Sequence, residues 1–210
     1  MSSASVDTVV AIVFPAFTRS ARDLSGFVAK LTNVGFDARA ITLAPRALPT
    51  LYCYRRHLRA VANSICEANP DRPIIMMGHS AGAAAATYVA QQLMSLGGDI
   101  RGVVLIDGVD SPNHLIAKSL PRLDRVNIGA VLASPSPCNR QGLLGRYLAA
   151  YPQVRVIQVP GAGHGDIEGG TSSVYRRVCG DVQNPEAVSQ FQNTVIDMAR
   201  EMRSGEVQAP

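Results

Sequence analysis

Short apolar or alternating runs follow one another along this chain, separated by longer segments whose apolar residues recur at helical spacing. Such runs, bounded by turn-forming residues, are typical of strands in a parallel sheet with both faces covered. They lie at residues 9–14, 36–43, 74–77, 103–106, 126–133 and 154–159. Helical spacing occurs at about residues 20–34, 51–68, 81–96, 143–150 and 185–202. The alternation predicts an α/β fold with a doubly wound, mostly parallel sheet flanked by helices.

The composition favours a single domain over residues 1–210. The 210 residues are 47% hydrophobic, which is enough to build one buried core. No internal repeat, low-complexity segment or linker divides the chain. Residues 110–125 are few and include two prolines, so we expect a minimal fold without an inserted lid domain.

The charge pattern argues against nucleic acid as a partner. The formal net charge is +4, but the basic residues are scattered, and the densest cluster lies at residues 54–59 within a predicted helix. We interpret that cluster as the solvent-exposed face of the helix. A mildly positive field is compatible with an anionic substrate.

The cysteines and the first residues bear on metal sites and location. The four cysteines form no CxxC pair and no zinc-ligand spacing with the four histidines, so we expect no metal. The first residues lack the basic start and long apolar stretch of a signal peptide, and the run 9–14 is too short to span a bilayer. We therefore expect a cytoplasmic protein with reduced thiols and no stable membrane insertion. The even number of cysteines leaves a disulfide open as an alternative, but the sequence selects neither a pairing nor an oligomeric state.

The most informative segment is Gly-His-Ser-Ala-Gly at residues 78–82, which follows a predicted strand and precedes an alanine-rich helix. This is the pattern of a nucleophile elbow, in which a sharp turn projects the Ser80 hydroxyl from the sheet beside a helix N-terminus. Gly78 and Gly82 have no side chains and so relieve the crowding that the turn causes. The segment predicts that Ser80 is a catalytic nucleophile.

A serine nucleophile needs a general base, and after such an elbow the acid and then the histidine follow along the chain. Only His114 and His164 lie downstream of Ser80. We favour His164, because it sits in a glycine-rich loop that leaves the last predicted strand. His79, inside the elbow, is expected to pack or to form a hydrogen bond rather than to act as the base.

Two carboxylates compete for the role of the acid that orients the histidine. Asp107 directly follows the strand at residues 103–106, and Asp110 lies three residues later in the same loop. The loop after the next strand, residues 134–139, contains no carboxylate. We choose Asp107 and keep Asp110 as the alternative. Asp166 and Glu168 are too close in sequence to His164 to be expected as its orienting acid.

At these residues the chain resembles the α/β-hydrolase superfamily over nearly its whole length. The elbow at residues 78–82 is followed by Ile-Asp-Gly-Val-Asp at residues 106–110. This pairing of an elbow with an Asp after the next strand resembles that of the lidless esterases, among them chlorophyllase-like and lipase-like members. The resemblance implies an oxyanion hole of two backbone amides. One would be Ala81 N–H. The other would come from Phe17, because residues 15–20 stand where the family commonly has His-Gly-x-x-Gly.

The expected function is therefore that of a serine hydrolase that cleaves a carboxylic ester or thioester through an acyl-enzyme on Ser80. Its substrate would be a small acyl compound, reached through an open site, and no metal or organic cofactor is required. Two alternatives remain: an acyltransferase, thioesterase or cyclase of a biosynthetic pathway, and a non-catalytic module that binds a small molecule. They differ in whether water, a second nucleophile or nothing takes the acyl group.

Overall fold

The sheet contains six strands that are parallel throughout. A computed structural model of the chain describes residues 8–44, 48–169, 177–179 and 184–204. The strands are β1 (Val10–Phe14), β2 (Asp37–Ala40), β3 (Ile74–His79), β4 (Ile100–Ile106), β5 (Asn127–Leu132) and β6 (Arg155–Gln158). Their order across the sheet is β2-β1-β3-β4-β5-β6, and every neighbouring pair is parallel. The expected doubly wound α/β sheet is confirmed.

Helices cover both faces of this sheet. They are α1 (Ser25–Asn33), α2 (Arg55–Ala68), α3 (Gly82–Ser95), α4 (Leu115–Ser119), α5 (Leu143–Leu148) and α6 (Pro185–Glu201). One apolar cluster joins α2, α3, α4 and α5 to one face, and a second joins α1 and α6 to the other. In β1, Val10 and Ile12 belong to the first cluster and Ala11 and Val13 to the second. Alternate side chains thus point to opposite covered faces, which explains why the strand is apolar throughout.

Several boundaries differ from the sequence expectation in ways that have a local cause. The helix expected from residue 51 begins with the 3-10 turn Pro49–Cys53, and α2 starts at Arg55 after the extended Tyr54. The edge strand β2 ends at Ala40, although residues up to 43 were expected to belong to it. Its ladder of pairs with β1 covers only Asp37 to Ala40. Between β4 and β5 the chain forms only α4 and the 3-10 turn Leu120–Arg122, so no lid domain is inserted there.

The expectation that all thiols are reduced is wrong for two of them. Cys138 and Cys179 form a disulfide across 41 residues of sequence. The bond joins the loop after β5 to residues 177–179. Cys53 and Cys66 are free. None of the helices described has the length and apolar character needed to cross a membrane.

Candidate active site

The carboxyl ends of the strands carry every residue singled out from the sequence as chemically active. Ser80 follows β3, Asp107 follows β4, and His164 lies in the loop after β6. Phe17 lies in the loop after β1. The carboxyl ends of parallel strands open on one edge of the sheet, where α/β proteins bind their ligands. Residues up to 147 positions apart in sequence therefore meet at one place.

The elbow at Ser80 has the strained backbone that its sequence indicates. Ser80 has φ 54°, a left-handed backbone conformation that residues other than glycine rarely adopt. A Cβ atom on Gly78 would lie 2.2 Å from the carbonyl oxygen of Gly82, and a Cβ on Gly82 would lie 2.5 Å from the carbonyl oxygens of Phe14 and Pro15. Both positions therefore require glycine, as expected from the sequence.

Hydrogen bonds from the neighbouring strand hold the elbow in this shape. The Ser80 N–H donates to the Ile106 carbonyl oxygen at 2.9 Å, and the Ser80 carbonyl oxygen accepts from the Val109 N–H at 2.9 Å. The loop that carries Asp107 is thereby bonded directly to the elbow. Relative movement of the two side chains is restricted.

Ser80, His164 and Asp107 form one continuous chain of hydrogen bonds. His164 Nε2 is 2.9 Å from Ser80 Oγ, and His164 Nδ1 is 2.5 Å from Asp107 Oδ2. A carboxylate only accepts, so Nδ1 carries the proton and Nε2 is free to accept the Ser80 hydroxyl proton. Asp107 and His164 are 2% and 1% exposed, and Ser80 keeps 7% of its surface accessible. A serine in this arrangement can act as a nucleophile.

Asp107 is fixed by donors from the loop after β5. Its Oδ1 accepts from the Ala133 N–H at 3.0 Å, and the Asn139 side-chain amide lies 3.2 and 3.1 Å from its two oxygens. Asn139 is buried, and its own oxygen accepts from the Ser136 and Gly142 amides. This loop contains no carboxylate, as its sequence shows, but it supplies the donor that holds one, which the sequence did not predict. An Asn-Pro-Ser-rich turn beside the acid is the only signal the sequence offers.

Asp110 and His114, the alternatives for acid and base, point elsewhere. Asp110 accepts from the backbone amides of Ser111 and Ile116, at 2.8 and 2.9 Å, and so caps helix α4. His114 is exposed and lies at the N-terminus of the same helix with φ 55°. Neither side chain is hydrogen-bonded to Ser80 or His164 among the contacts of the residues described.

The two candidate oxyanion amides lie on segments that touch each other. Ala81 immediately precedes α3, and Gly82 packs against the Phe14–Pro15 backbone that leads into the turn at residues 16–19. Thr18 in that turn has φ 62°, which is strained for a β-branched residue. In the part of the chain that is described, neither the Ala81 nor the Phe17 N–H has an acceptor. The Phe17 ring is 45% exposed and packs edge-on against Tyr52.

A buried polar cluster lies next to His164. His79 Nε2 donates to the His164 carbonyl oxygen at 2.7 Å, consistent with the expectation that His79 is not the base. Glu168 Oε1 lies 3.5 Å from His79 Nδ1, and the Arg19 guanidinium binds both Glu168 oxygens. Burial raises the pKa of Glu168, but His79 and Arg19 outweigh it and hold that pKa below its ordinary value. Glu168, which is not expected as the orienting acid, thus belongs to the surroundings of His164 through His79.

A cavity of about 280 Å³ adjoins the loop that carries Asp107. Its walls are largely apolar, and the polar residues that line it are Asp110, Ser111, His114, Asn139 and Arg140. The apolar contributors are Val109, Ala117, Leu143, Leu144 and the ring of Tyr147. Val109, which lines this cavity, donates its N–H to the Ser80 carbonyl oxygen, so the cavity lies next to the elbow. Within the described ranges no group of three or more His, Cys, Asp and Glu side chains is placed to hold a metal ion.

Comparison with known proteins gives a family and a fold. The family model described as "alpha/beta hydrolase fold" matches residues 15–126. No curated protein sequence matches this chain. Among solved structures, the NocB thioesterase domain from the nocardicin cluster is 16% identical, with a TM-score of 0.58, over 92% of this chain and 94% of that one.

Two further structures are similar at comparable levels. Est1E from Butyrivibrio proteoclasticus is 11% identical, with a TM-score of 0.65, over 96% of this chain and 91% of its own. Tomato methylketone synthase I, as a T18A mutant, is 13% identical, with a TM-score of 0.60, over 94% of this chain and all of its own. At these identities the similarity establishes the fold and not the reaction.

Proposed function

Because the chain belongs to the α/β-hydrolase fold family, we propose that it is a serine hydrolase that cleaves a carboxylic ester or thioester through Ser80, His164 and Asp107. The observation that carries this proposal is the unbroken contact from Ser80 Oγ through the His164 ring to Asp107, at 2.9 and 2.5 Å. A pure binding module has no need of such a buried, strained arrangement. The NocB domain, a thioesterase, shares the fold and supports an acyl substrate.

In the first half of the reaction, Ser80 Oγ attacks the carbonyl carbon while its proton passes to His164 Nε2. The carbonyl electron pair moves to oxygen, and the resulting oxyanion is held by the N–H groups of Ala81 and Phe17. His164 then gives its proton to the leaving oxygen or sulfur as the bond to the acyl carbon breaks. This leaves an acyl group esterified to Ser80 and releases an alcohol or thiol.

The second half regenerates the enzyme by the same groups. His164 Nε2 removes a proton from water as the water oxygen attacks the acyl carbon, and then returns a proton to Ser80 Oγ as the ester breaks. The negative charge of Asp107 stabilises the imidazolium formed at each step and keeps the Nδ1 proton in place. No step requires a metal or an organic cofactor.

The cavity beside Asp107 is the place for the acyl chain. Its apolar walls of Val109, Leu143 and Leu144 suit hydrocarbon. Its volume of about 280 Å³ is close to the lower end of the volumes of small-molecule sites. We therefore propose moderately apolar acyl substrates of small to medium length.

The disulfide bears on where such an enzyme works. Disulfides persist mainly in oxidising compartments and are rare where thiols are kept reduced. The Cys138–Cys179 bond therefore counts against the reducing cytoplasm that the sequence led us to expect. Titration of free thiols in the protein denatured without reductant would show two thiols if the bond is present and four if it is not.

The test is rapid mixing with a chromogenic acyl ester. We expect a burst of leaving group equal to the enzyme concentration, followed by slower turnover, and a peptide carrying the acyl group on Ser80 after acid quenching. Ser80→Ala should abolish both. Ser95→Ala, which removes an exposed hydroxyl from α3, should change neither. A ligand that binds and is recovered unchanged would favour the binding module, and acyl transfer to an added alcohol in preference to water would favour the acyltransferase.

A further inference from the structure

The buried carboxylate of Glu168 takes no part in the reaction described above, yet its side chain is completely inaccessible to solvent. Burying a charge is costly unless it is paired and hydrogen-bonded. Here the Arg19 guanidinium binds the carboxylate and the His79 ring lies beside it, so residues from two different segments of the site surround it. Packing alone does not explain why a charged side chain is buried at this position.

The first partner is Arg19, which belongs to the turn that carries Phe17. Arg19 Nε lies 3.2 and 3.0 Å from the two Glu168 oxygens, and Nη2 lies 2.5 Å from Oε2. This is the bidentate geometry in which a guanidinium fixes the orientation of a carboxylate as well as its distance. The contact connects the loop after β1 to the loop after β6, 149 residues apart in sequence.

The second partner is His79, which immediately precedes Ser80 in the elbow. The His79 ring is fully buried and lies with its centroid 4.9 Å from that of His164. One ring nitrogen donates to the His164 carbonyl oxygen at 2.7 Å, and the other faces Glu168 Oε1 at 3.5 Å. The His79 ring is thus held between the backbone of the proposed base and the carboxylate.

We propose that Glu168 is a positioning residue for the reaction. It joins the oxyanion turn, through Arg19, to the elbow and to the His164 backbone, through His79. The inference rests on the proposed function. Its physical basis is that a misplacement of about 1 Å between reacting groups costs about a hundredfold in rate. A single buried carboxylate that orients partners on two other segments restricts such misplacement.

The test compares steady-state hydrolysis of an activated ester by the wild type and four variants. Glu168→Gln keeps the shape of the side chain, but it removes the negative charge and replaces one of the two oxygens that face the Arg19 guanidinium by an NH2 group. We expect kcat to fall between about tenfold and a hundredfold, with KM changed by less than about threefold. His79→Leu should show the same pattern. His79→Gln, which retains an N–H donor toward the His164 carbonyl, should recover most of the loss.

Asp37→Asn is the matched control for loss of an ion pair. Asp37 is paired with Arg72 at 2.7 Å, but at the start of β2, on the opposite edge of the sheet from Ser80. It should lower the unfolding temperature and leave kcat and KM unchanged. All rates are measured well below the lowest unfolding temperature, so that a loss of kcat reports geometry rather than unfolding.

The outcomes separate this inference from the proposed function. A wild type that neither hydrolyses esters nor reacts with a fluorophosphonate would overturn the proposed function. An active wild type with an equally active Glu168→Gln would overturn the positioning role alone. If Glu168→Gln does not fold, the two His79 variants decide, because equal activity in both would show that the donor to His164 does not matter.

Discussion

Replacing Asp107 by asparagine changes one atom and should reverse the proton arrangement of the site. Asp107 Oδ1 accepts from the Ala133 backbone N–H, a donor that cannot be reoriented, at 3.0 Å. The new amide oxygen must therefore occupy that position, and the NH2 group must take the place of Oδ2, 2.5 Å from His164 Nδ1. Facing a donor, Nδ1 gives up its proton. The proton then lies on Nε2, which can no longer accept from Ser80.

The size of the effect follows from this change of tautomer. Loss of the orienting carboxylate in a serine triad lowers kcat by about 10⁴, even though the geometry is retained. That factor corresponds to about 5 kcal/mol of transition-state stabilisation. KM should change little, because Asp107 does not contact the substrate. The Asn139 amide adds to the effect, because it donates toward both carboxylate oxygens and would face the new NH2 group.

Asp110→Asn is the matched comparison, with the same substitution three residues away. Its retained oxygen can still accept from the Ser111 and Ile116 amides, so we expect a stability loss below about 1 kcal/mol and kcat within about threefold of the wild type. The assay is steady-state ester hydrolysis at neutral pH, with unfolding followed by circular dichroism. If Asp110→Asn loses activity by orders of magnitude and Asp107→Asn does not, the assignment of the acid is wrong.

Three further predictions concern the cavity, the disulfide and Glu168. Ala117→Phe should place a phenyl group in the cavity and raise KM for long-chain esters at least tenfold relative to acetyl esters, measured over a series of chain lengths; an unchanged series would place the acyl chain elsewhere. Reduction of the Cys138–Cys179 disulfide should lower the free energy of unfolding by up to about 4 kcal/mol, because the unfolded chain is then no longer restricted by a cross-link between residues 41 positions apart. Identical denaturation curves before and after reduction would contradict this. Glu168 has a pKa below its ordinary value, so its contribution to stability is present above about pH 4.5 and is lost as the pH falls through the folded-state pKa. Urea denaturation from about pH 6 to about pH 3 should therefore show a smaller acid-induced loss for Glu168→Gln than for the wild type, and parallel losses would refute it.

The sheet and the elbow could be predicted because the information for each lies within a few residues of sequence. A strand covered on both faces is an unbroken apolar run, and β3 with the glycines at 78 and 82 fits within nine residues. The order of nucleophile, acid and base along the chain then limits the choice of histidine to two. The sequence favours Asp107 over Asp110 because Asp107 lies nearer the end of the strand. In the structure, Asp107 is the one that contacts the His164 ring.

The supporting residues could not be predicted, because each acts through a contact that local sequence does not encode. Asn139 reaches Asp107 across 32 residues, and Arg19 reaches Glu168 across 149. The cysteine pair likewise joins residues 41 positions apart, and no local pattern specifies it. Glu168 lies four positions after His164, which argues against it as the orienting acid. That position in the sequence gives no indication of its contacts with Arg19 and His79.

The most direct test of the central claim is intact-mass analysis of the protein after treatment with a fluorophosphonate, for the wild type and for Ser80→Ala. Such reagents react with a serine whose hydroxyl is activated by a neighbouring base. We predict that the wild type gains the mass of one phosphonyl group and that Ser80→Ala gains none. A folded wild type that remains unlabelled, or a Ser80→Ala variant that is labelled equally, would contradict the assignment of Ser80 as an activated nucleophile.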